Sequence, residues 1–416
     1  MTTISARPEA SALLDRFRDV RSRTDRLTRD LGPEDQTPQS MTAASPVKWH
    51  RAHTTWFFEE FVLGTDPGYR PRDPAFRYLF NSYYEAIGER HPRSARGQVT
   101  RPGVAEVAAY REDVEQQVAD RVAAGTLDEE ALALVELGCH HEEQHQELLL
   151  TDLKHLLSGN VLQPAYVERP LDPDPTAGPG PLRWTHVPGG LTHVGAGEEG
   201  FTFDNERPRH RVWLEDVEVG CRQVTNAEWQ DFIADGAYER PDLWLSDGWA
   251  AVQSEGWRAP GYWRHDEDEG WTTFTLSGRR PVVATEPVCH ISFFEADAFA
   301  RWAGHRLPTE HEWEAHASSG QAALGGLLDP SRCHPGVARE VSLGDVWEWT
   351  ASAYLPYPGF ETAPGAVGEY NGKFMNDQHV LRGASAVTPP DHPRVTYRNF
   401  FPADSRWVFA GLRLAR

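Results

Sequence analysis

Cysteine is sparse in this chain, and the four present, Cys139, Cys221, Cys289 and Cys333, stand too far apart for any paired short spacing. That excludes a zinc ribbon and a disulfide scaffold and leaves reduced, mostly buried thiols as the reading. Positive charge is also short: 41 Lys and Arg face 62 Asp and Glu, for a formal net charge of -21. A surface of that sign repels the phosphate backbone of nucleic acid and the anionic face of a membrane, so a small-molecule substrate fits better. Long apolar runs are missing as well. No stretch of about 18 apolar residues occurs, and the opening MTTISARPEASALLDRF has no basic flank leading into an apolar core, so neither a membrane span nor a secretion signal is expected. The expected location is the cytoplasm.

What the chain does have is core material. Hydrophobic residues make up 39% of its 416 residues, with 15 Trp, 12 Tyr and 18 Phe, which suits well-packed globular units rather than disorder. At this length a single core usually stops growing, so two domains are expected. From Ala10 to Leu31 the apolar residues Leu13, Phe17, Val20, Leu27 and Leu31 recur at helical spacing. A second helix starts at the cap and first-turn proline Ser45-Pro46 and carries His50, His53, Trp56, Phe57 and Phe61 toward Gly64. A third is expected from about Val104 to Val122 and a fourth from about Asp128 to Leu157, which together make a four-helix bundle. The run PAYVERPLDPDPTAGPGP is too rich in proline and glycine to hold a helix or a ladder and reads as a linker. The expected boundaries are residues 1–163 for the bundle, 164–181 for the linker and 182–416 for an irregular second domain dense in Trp and Gly. Helical patches stand out in that domain around Asn226 to Ala234 and Phe294 to Ala303, so the fold class is α+β.

The chemistry concentrates in Cys139-His140-His141-Glu142-Glu143-Gln144-His145-Gln146-Glu147. On a helix His141 and His145 lie one turn apart with imidazoles able to converge on one point, a metal half-site. Neutral imidazole is the commonest protein ligand for first-row transition metals, and the second helix supplies a further one. His50 and His53 lie about 300° apart and share a face, so spacing alone leaves the choice between them open. Glu142, Glu143 and Glu147 are expected to orient the ligating imidazoles as outer acceptors. Glu147 points about 160° away from His145 and is a poor direct ligand for the same ion.

Three segments in order, PVKWHRAHTTWFFEEF, FNSYYEAIGERHPR and HHEEQHQE, resemble the DinB-like domain of the ergothioneine-biosynthetic sulfoxide synthases known as hercynine oxygenases. The second half resembles the same family, whose second domain is similar to formylglycine-generating enzymes and distantly C-type-lectin-like. The segments that carry this are VPGGLTHVG, FDNERPRHRV, VTNAEWQDFIADGAY, RLPTEHEWEAH, LGDVWEWTASAYLPYPGF, YNGKFM and VTYRNFFPADSRWVFAGLRLAR. The resemblance covers nearly the whole chain. It implies Fe(II) held by His53, His141 and His145, and an oxygenase that joins cysteine sulfur to the imidazole ring of hercynine with O2. It also implies that Gln144 contacts the betaine end of hercynine and Asn399 its carboxylate. Members using gamma-glutamylcysteine place an aspartate two residues after that asparagine; Phe401 stands here, which favours free cysteine. Tyr83 and Tyr84 resemble adjacent tyrosines near the iron of cysteine-using members, and a phenol suits proton donation to reduced oxygen. Arg90 and Arg93 follow and suit a forked grip on a substrate carboxylate.

Two departures stand out. Formylglycine-generating enzymes depend on a cysteine pair near their C-terminus, whereas the last cysteine here is Cys333, so their copper-thiol chemistry is excluded on residues. Relatives often carry cysteine in the segment represented here by RGASAVTPP, where Ala386 stands. The alternatives are a selenosugar-using synthase, a dipeptide-using or ovothiol-type relative, and a non-catalytic metal-binding or thiol-binding protein.

Overall fold

The computed structural model describes residues 10–167, 180–320, 323–340, 343–363, 368 and 370–416. Most of the expected linker, residues 168–179, lies outside them. The chain forms two compact units. One holds the residues up to Gly159 with Glu198–Gly200 and Ala363–Tyr370; the other holds Asn160–Gly197, Phe201–Thr362 and Asn371–Arg416. The start of the expected linker belongs to the second unit, where the Tyr166 and Val167 amides both donate to Leu276 O, at 2.7 and 3.1 Å.

The first unit is built on α1 (Ala10–Thr28), α2 (Val47–Phe58), α3 (Val104–Ala123) and α4 (Glu129–Ser158). All four lie where the apolar spacing places them. Helix α1 stops short of Leu31, ahead of the Gly32-Pro33 break. Ser45 does not cap α2 as expected. Its amide donates to Asp152 Oδ2 at 2.7 Å and its hydroxyl accepts from Arg96 Nη1 at 2.8 Å, so its polar groups are committed across the fold. Helix α2 runs on into a π turn at Glu59–Leu63, an irregularity frequent at functional sites. Asp128 caps α4 by accepting from the Ala131 amide at 2.9 Å.

Leu13, Phe17 and Val20 of α1 share one core with Phe57 and Phe58 of α2, Val107, Tyr110 and Val114 of α3, and Val135 and Cys139 of α4. Gly138 lets α2 and α4 approach, since a Cβ there would lie 2.4 Å from the Phe58 ring. Beside this core, buried Glu142 accepts from Arg21 at 2.8 Å, Arg111 at 2.9 Å and Thr24 at 2.6 Å, which ties α1, α3 and α4 together.

In the second unit β1 (Trp184–Val187) pairs with β4 (Val217–Gly220), and β2 (Gly190–Val194) with β3 (His210–Leu214). β5 (Trp263–Asp266), β6 (Gly270–Thr275) and β7 (Gly278–Pro281) form an antiparallel sheet in chain order. The remaining sheet runs β10-β9-β8-β11, from β8 (Trp347–Ala353), β9 (His379–Arg382), β10 (Asn399–Phe401) and β11 (Ala410–Leu412), with β11 parallel to β8. Here the motifs VWEWT and GLRLA meet. Glu348 on β8 accepts from Arg413 Nη2 and from Trp313 Nε1, at 2.8 and 2.6 Å, and all three residues are buried. Gly411 is required, since a Cβ would lie 2.4 Å from Val288 O.

The two helical patches appear as α5 (Asn226–Ala234) and α7 (Phe293–Trp302), and the fold adds α6 (Ser246–Glu255) and α8 (Glu310–Ser318). Three of these helices start with a capping box, at Thr225/Glu228, Ser292/Glu295 and Thr309/Glu312. Among the described residues no helix is long and apolar enough to cross a membrane. The four cysteines form no disulfide; Cys139, Cys289 and Cys333 are buried and Cys221 half-buried. Burial pushes the Cys139 and Cys333 thiols up, the latter to about 12.

One expected result belongs here. Buried Glu286 meets His334 Nε2 at 3.1 Å and is paired with Arg280. Burial alone would raise its carboxyl, but His334 and Arg280 hold it down to about 2, against 4.5 for a free glutamate. Because the folded value is the lower one, the stabilisation is complete above about pH 4.5 and is lost as pH falls toward 2. Glu286→Gln is expected to cost about 3 kcal/mol at neutral pH and progressively less in acid. Urea melts from neutral to acid pH check it: a difference between the two proteins that does not shrink with pH would remove the carboxylate as the cause.

Candidate metal centre

Three imidazoles meet inside the bundle. Nitrogens of His53, His141 and His145 all lie within 4.8 Å of one another, and the residues are only 0, 4 and 8% exposed. Helix α4 sets His141 and His145 one turn apart, with ring centroids separated by 4.6 Å. Helix α2 brings His53 to 5.0 and 4.8 Å from them. Burial pushes His141 down to about 4, and burial together with the neighbouring imidazoles holds His53 and His145 well below the usual value. All three are therefore neutral near neutral pH, the form that ligates.

Their polar partners explain which nitrogens are left over. His53 donates from Nδ1 to Phe80 O at 2.6 Å, and its Nε2 is buried with no hydrogen-bond partner among the described residues. Both ring nitrogens of His141 are buried and unpartnered in the same way. His145 is engaged through Nδ1, which lies 2.8 Å from Nδ1 of His50, and His50 Nε2 is 3.0 Å from Asp152 Oδ2. Orphaned nitrogens facing one another in a dry interior are costly unless something else satisfies them, and a cation does so.

The acceptors that orient these rings are not Glu142 and Glu143. Glu142 is taken by Arg21, Arg111 and Thr24, and Glu143 by Arg16, Arg23 and His140. Both carboxylates balance the arginines of the surrounding helices, so the orienting role falls to the Phe80 carbonyl and to His50. The sequence reading missed His50 and Asp152 in that role. One signal was available: Asp152 follows His145 by two helical turns and so shares its face.

Aromatic planes fix the orientation of His53. Trp49 stacks on it at 4.6 Å with 13° between planes, and Trp56 stacks at 5.6 Å and 15°. The Arg96 guanidinium sits 3.4 Å over Trp49 and donates to Ser45 and Ser82, each at 2.8 Å. Burial, with Arg93 adding, pushes Arg96 down to about 9. Tyr84 is buried against Trp56 at 5.6 Å and Phe61 at 5.2 Å. Half-buried Tyr83 packs on Tyr84 at 5.1 Å and on Tyr370 at 5.0 Å, and Tyr370 belongs to the short C-terminal segment of this unit. Burial first, then Tyr370 and Tyr84, hold the Tyr83 phenol well above its usual value, so it stays protonated.

The other expected site residues are placed as follows. Gln144 is half-buried on α4 directly before His145. Arg90 and Arg93 are exposed; Arg90 donates to Ser82 O at 2.9 Å and pairs with Glu85, and Arg93 donates to Ala43 O. In the second unit Asn399 and Phe401 sit two apart on β10 and share a face, while Phe400 between them stacks on Tyr354 at 4.1 Å. Asn399 Oδ1 accepts from the Phe400 amide at 2.9 Å, and Phe401 lies edge-on to Trp407 at 5.8 Å. Ala386 is buried in the loop after β9 and donates its amide to Asp345 O at 2.9 Å.

A histidine-bearing four-helix bundle combined with a sheet-and-loop unit of this kind defines the class. Residues 16–149 match the DinB superfamily, and residues 179–329 and 341–416 match the sulfatase-modifying factor enzyme 1-like domain. The chain is 35% identical to the hercynine oxygenase of Mycobacterium tuberculosis, over 95% of this chain and 96% of that one. It is 33% identical to the hercynine oxygenase of Mycolicibacterium smegmatis, over 97% and 98%. The chain belongs to the hercynine oxygenase family. A formylglycine-generating enzyme of Streptomyces coelicolor is 31% identical across 59% of this chain and 92% of its own length.

Proposed function

We propose that this protein is an Fe(II)-dependent sulfoxide synthase of ergothioneine biosynthesis, taking hercynine, cysteine and O2. The balance is closed: an imidazole C–H, a thiol S–H and O2 give a C–S bond, a sulfoxide oxygen and one water. The carrying observation is the set of orphaned imidazole nitrogens of His53 and His141 facing His145 in a buried site. An all-nitrogen donor set of neutral imidazoles fits a first-row transition metal better than Ca2+ or Mg2+. Iron bound there supplies the one-electron chemistry that lets O2 react with a thiol and an imidazole.

The protein's own groups do the rest. His53, His141 and His145 hold the ion. Gln144, next to His145 on α4, is assigned to the betaine end of hercynine, and Asn399 to its carboxylate. Tyr83 and Tyr84 place phenols in the same bundle as the histidines, and Tyr83 keeps its proton because it is buried among tyrosines. Arg90 and Arg93, on the segment that carries those tyrosines, are assigned to a substrate carboxylate. The direct test is O2 uptake that requires both hercynine and cysteine; uptake with neither dependence, or none at all in the iron-loaded protein, would end this reading.

The thiol is free cysteine. Phe401 offers an aromatic edge where an aspartate would engage the longer gamma-glutamylcysteine. A lost hydrogen bond to a charged group is worth about 1.5–3 kcal/mol, so kcat/KM is expected to favour cysteine by roughly 10-fold or more. Measured at saturating hercynine, a preference for the dipeptide would show that Phe401 does not discriminate.

A further inference from the structure

Resting on that reading, we infer that His50 and Asp152 form a two-residue relay that sets the tautomer of His145 and so positions it as a metal ligand. The Asp152 end of the chain of contacts fixes the proton order. At one end Asp152 Oδ2 accepts from the Ser45 amide at 2.7 Å and lies 3.0 Å from His50 Nε2. A carboxylate carries no proton to give, so His50 Nε2 is the donor. A singly protonated His50 then has a bare Nδ1, which faces His145 Nδ1 at 2.8 Å and accepts its proton. At the other end, His145 needs one bare nitrogen to ligate, and with Nδ1–H committed to His50 that atom is Nε2. That order leaves one proton per imidazole and a bare nitrogen on His145 for the ion.

The arrangement differs from that of the other orienting partner. His53 is held by a backbone carbonyl, Phe80 O, which no side-chain change removes. His145 is held by side chains from two helices, α2 and α4, and His50 and Asp152 are 3 and 5% exposed, so water does not replace them. Outer partners of metal-bound histidines are commonly worth 10–100-fold in metal affinity. The relay makes His50 and Asp152 positioning residues, with no contact to substrate required.

The test is Fe(II) affinity of the full chain, by competition with a chelator, for wild type, His50→Leu, His50→Gln, Asp152→Ala and the His50→Leu/Asp152→Ala double variant. His50→Leu and Asp152→Ala are each expected to weaken binding 10–100-fold at unchanged stoichiometry, and the double variant no further than the weaker single, because both break one chain. Glutamine can donate to Asp152 and accept from His145, so His50→Gln is expected to keep most of the affinity. In the Zn(II)-loaded protein, nitrogen NMR is expected to show His145 protonated at Nδ1, and to lose that signature in His50→Leu. Thermal melts of the metal-free proteins report folding separately. Unchanged affinity in both single variants, or equal losses in His50→Gln and His50→Leu, would overturn the relay while leaving the proposed function standing. A wild-type chain that binds no iron would overturn both.

Discussion

His145→Ala is expected to leave the chain folded but without iron and without turnover. The bundle's stability rests on its apolar core and on the Glu142 network with Arg21 and Arg111, none of which touches the His145 ring as a hydrogen-bond partner. Three imidazoles form the proposed ligand set, so losing one leaves two in a dry pocket. His53→Ala is expected to act the same way, whereas His50→Ala still binds one iron at saturating metal, only more weakly. Metal analysis with circular dichroism separates these cases. Full iron in His145→Ala, or iron lost from His50→Ala and kept in His53→Ala, would move the centre to a different set of residues.

Substituting the tyrosines is expected to change the product rather than only the rate. Thiol and O2 can also yield cysteine sulfinic acid, and a proton delivered on time favours the sulfoxide. Loss of a general acid costs roughly 10²–10⁴ in rate, enough to reverse a partition between two channels. Tyr84 packs against Trp56, which itself stacks on His53, and Tyr83 packs on Tyr84, so phenylalanine at either position preserves the ring contacts and removes one hydroxyl. The sulfoxide to sulfinate ratio by mass spectrometry, for Tyr83→Phe, Tyr84→Phe and the double variant, decides the matter. A ratio unchanged in all three would leave both residues as packing aromatics.

The helices of the first unit were legible because a 3.6-residue period is written into Leu13, Phe17, Val20 and Leu27, and the His141/His145 pair because one turn of helix brings i and i+4 together. The choice between His50 and His53 was not. Both share a face of α2, and what separates them is the Phe80 carbonyl, Trp49 and Trp56 around one ring and Asp152 beside the other, contacts that tertiary packing creates. Likewise nothing in the spacing of Arg90, Arg93 and Arg96 shows that the short turn Arg93–Gln98 buries the third and leaves the first two outside. In the second unit α8 carries a readable start, Thr309 followed by Glu312, which the sequence reading did not use.

The buried thiols acquire meaning beside the proposed chemistry. An enzyme that combines a thiol with O2 exposes its own sulfur to the same hazard, since sulfenylation and mixed disulfides begin from an accessible thiolate. Cys139 and Cys333 sit in dry surroundings that keep their sulfurs protonated, and Cys289 is buried as well. Three of the four sulfurs are therefore held away from that hazard, and half-buried Cys221, 3.4 Å from Glu340 Oε1, is the one left nearer to solvent.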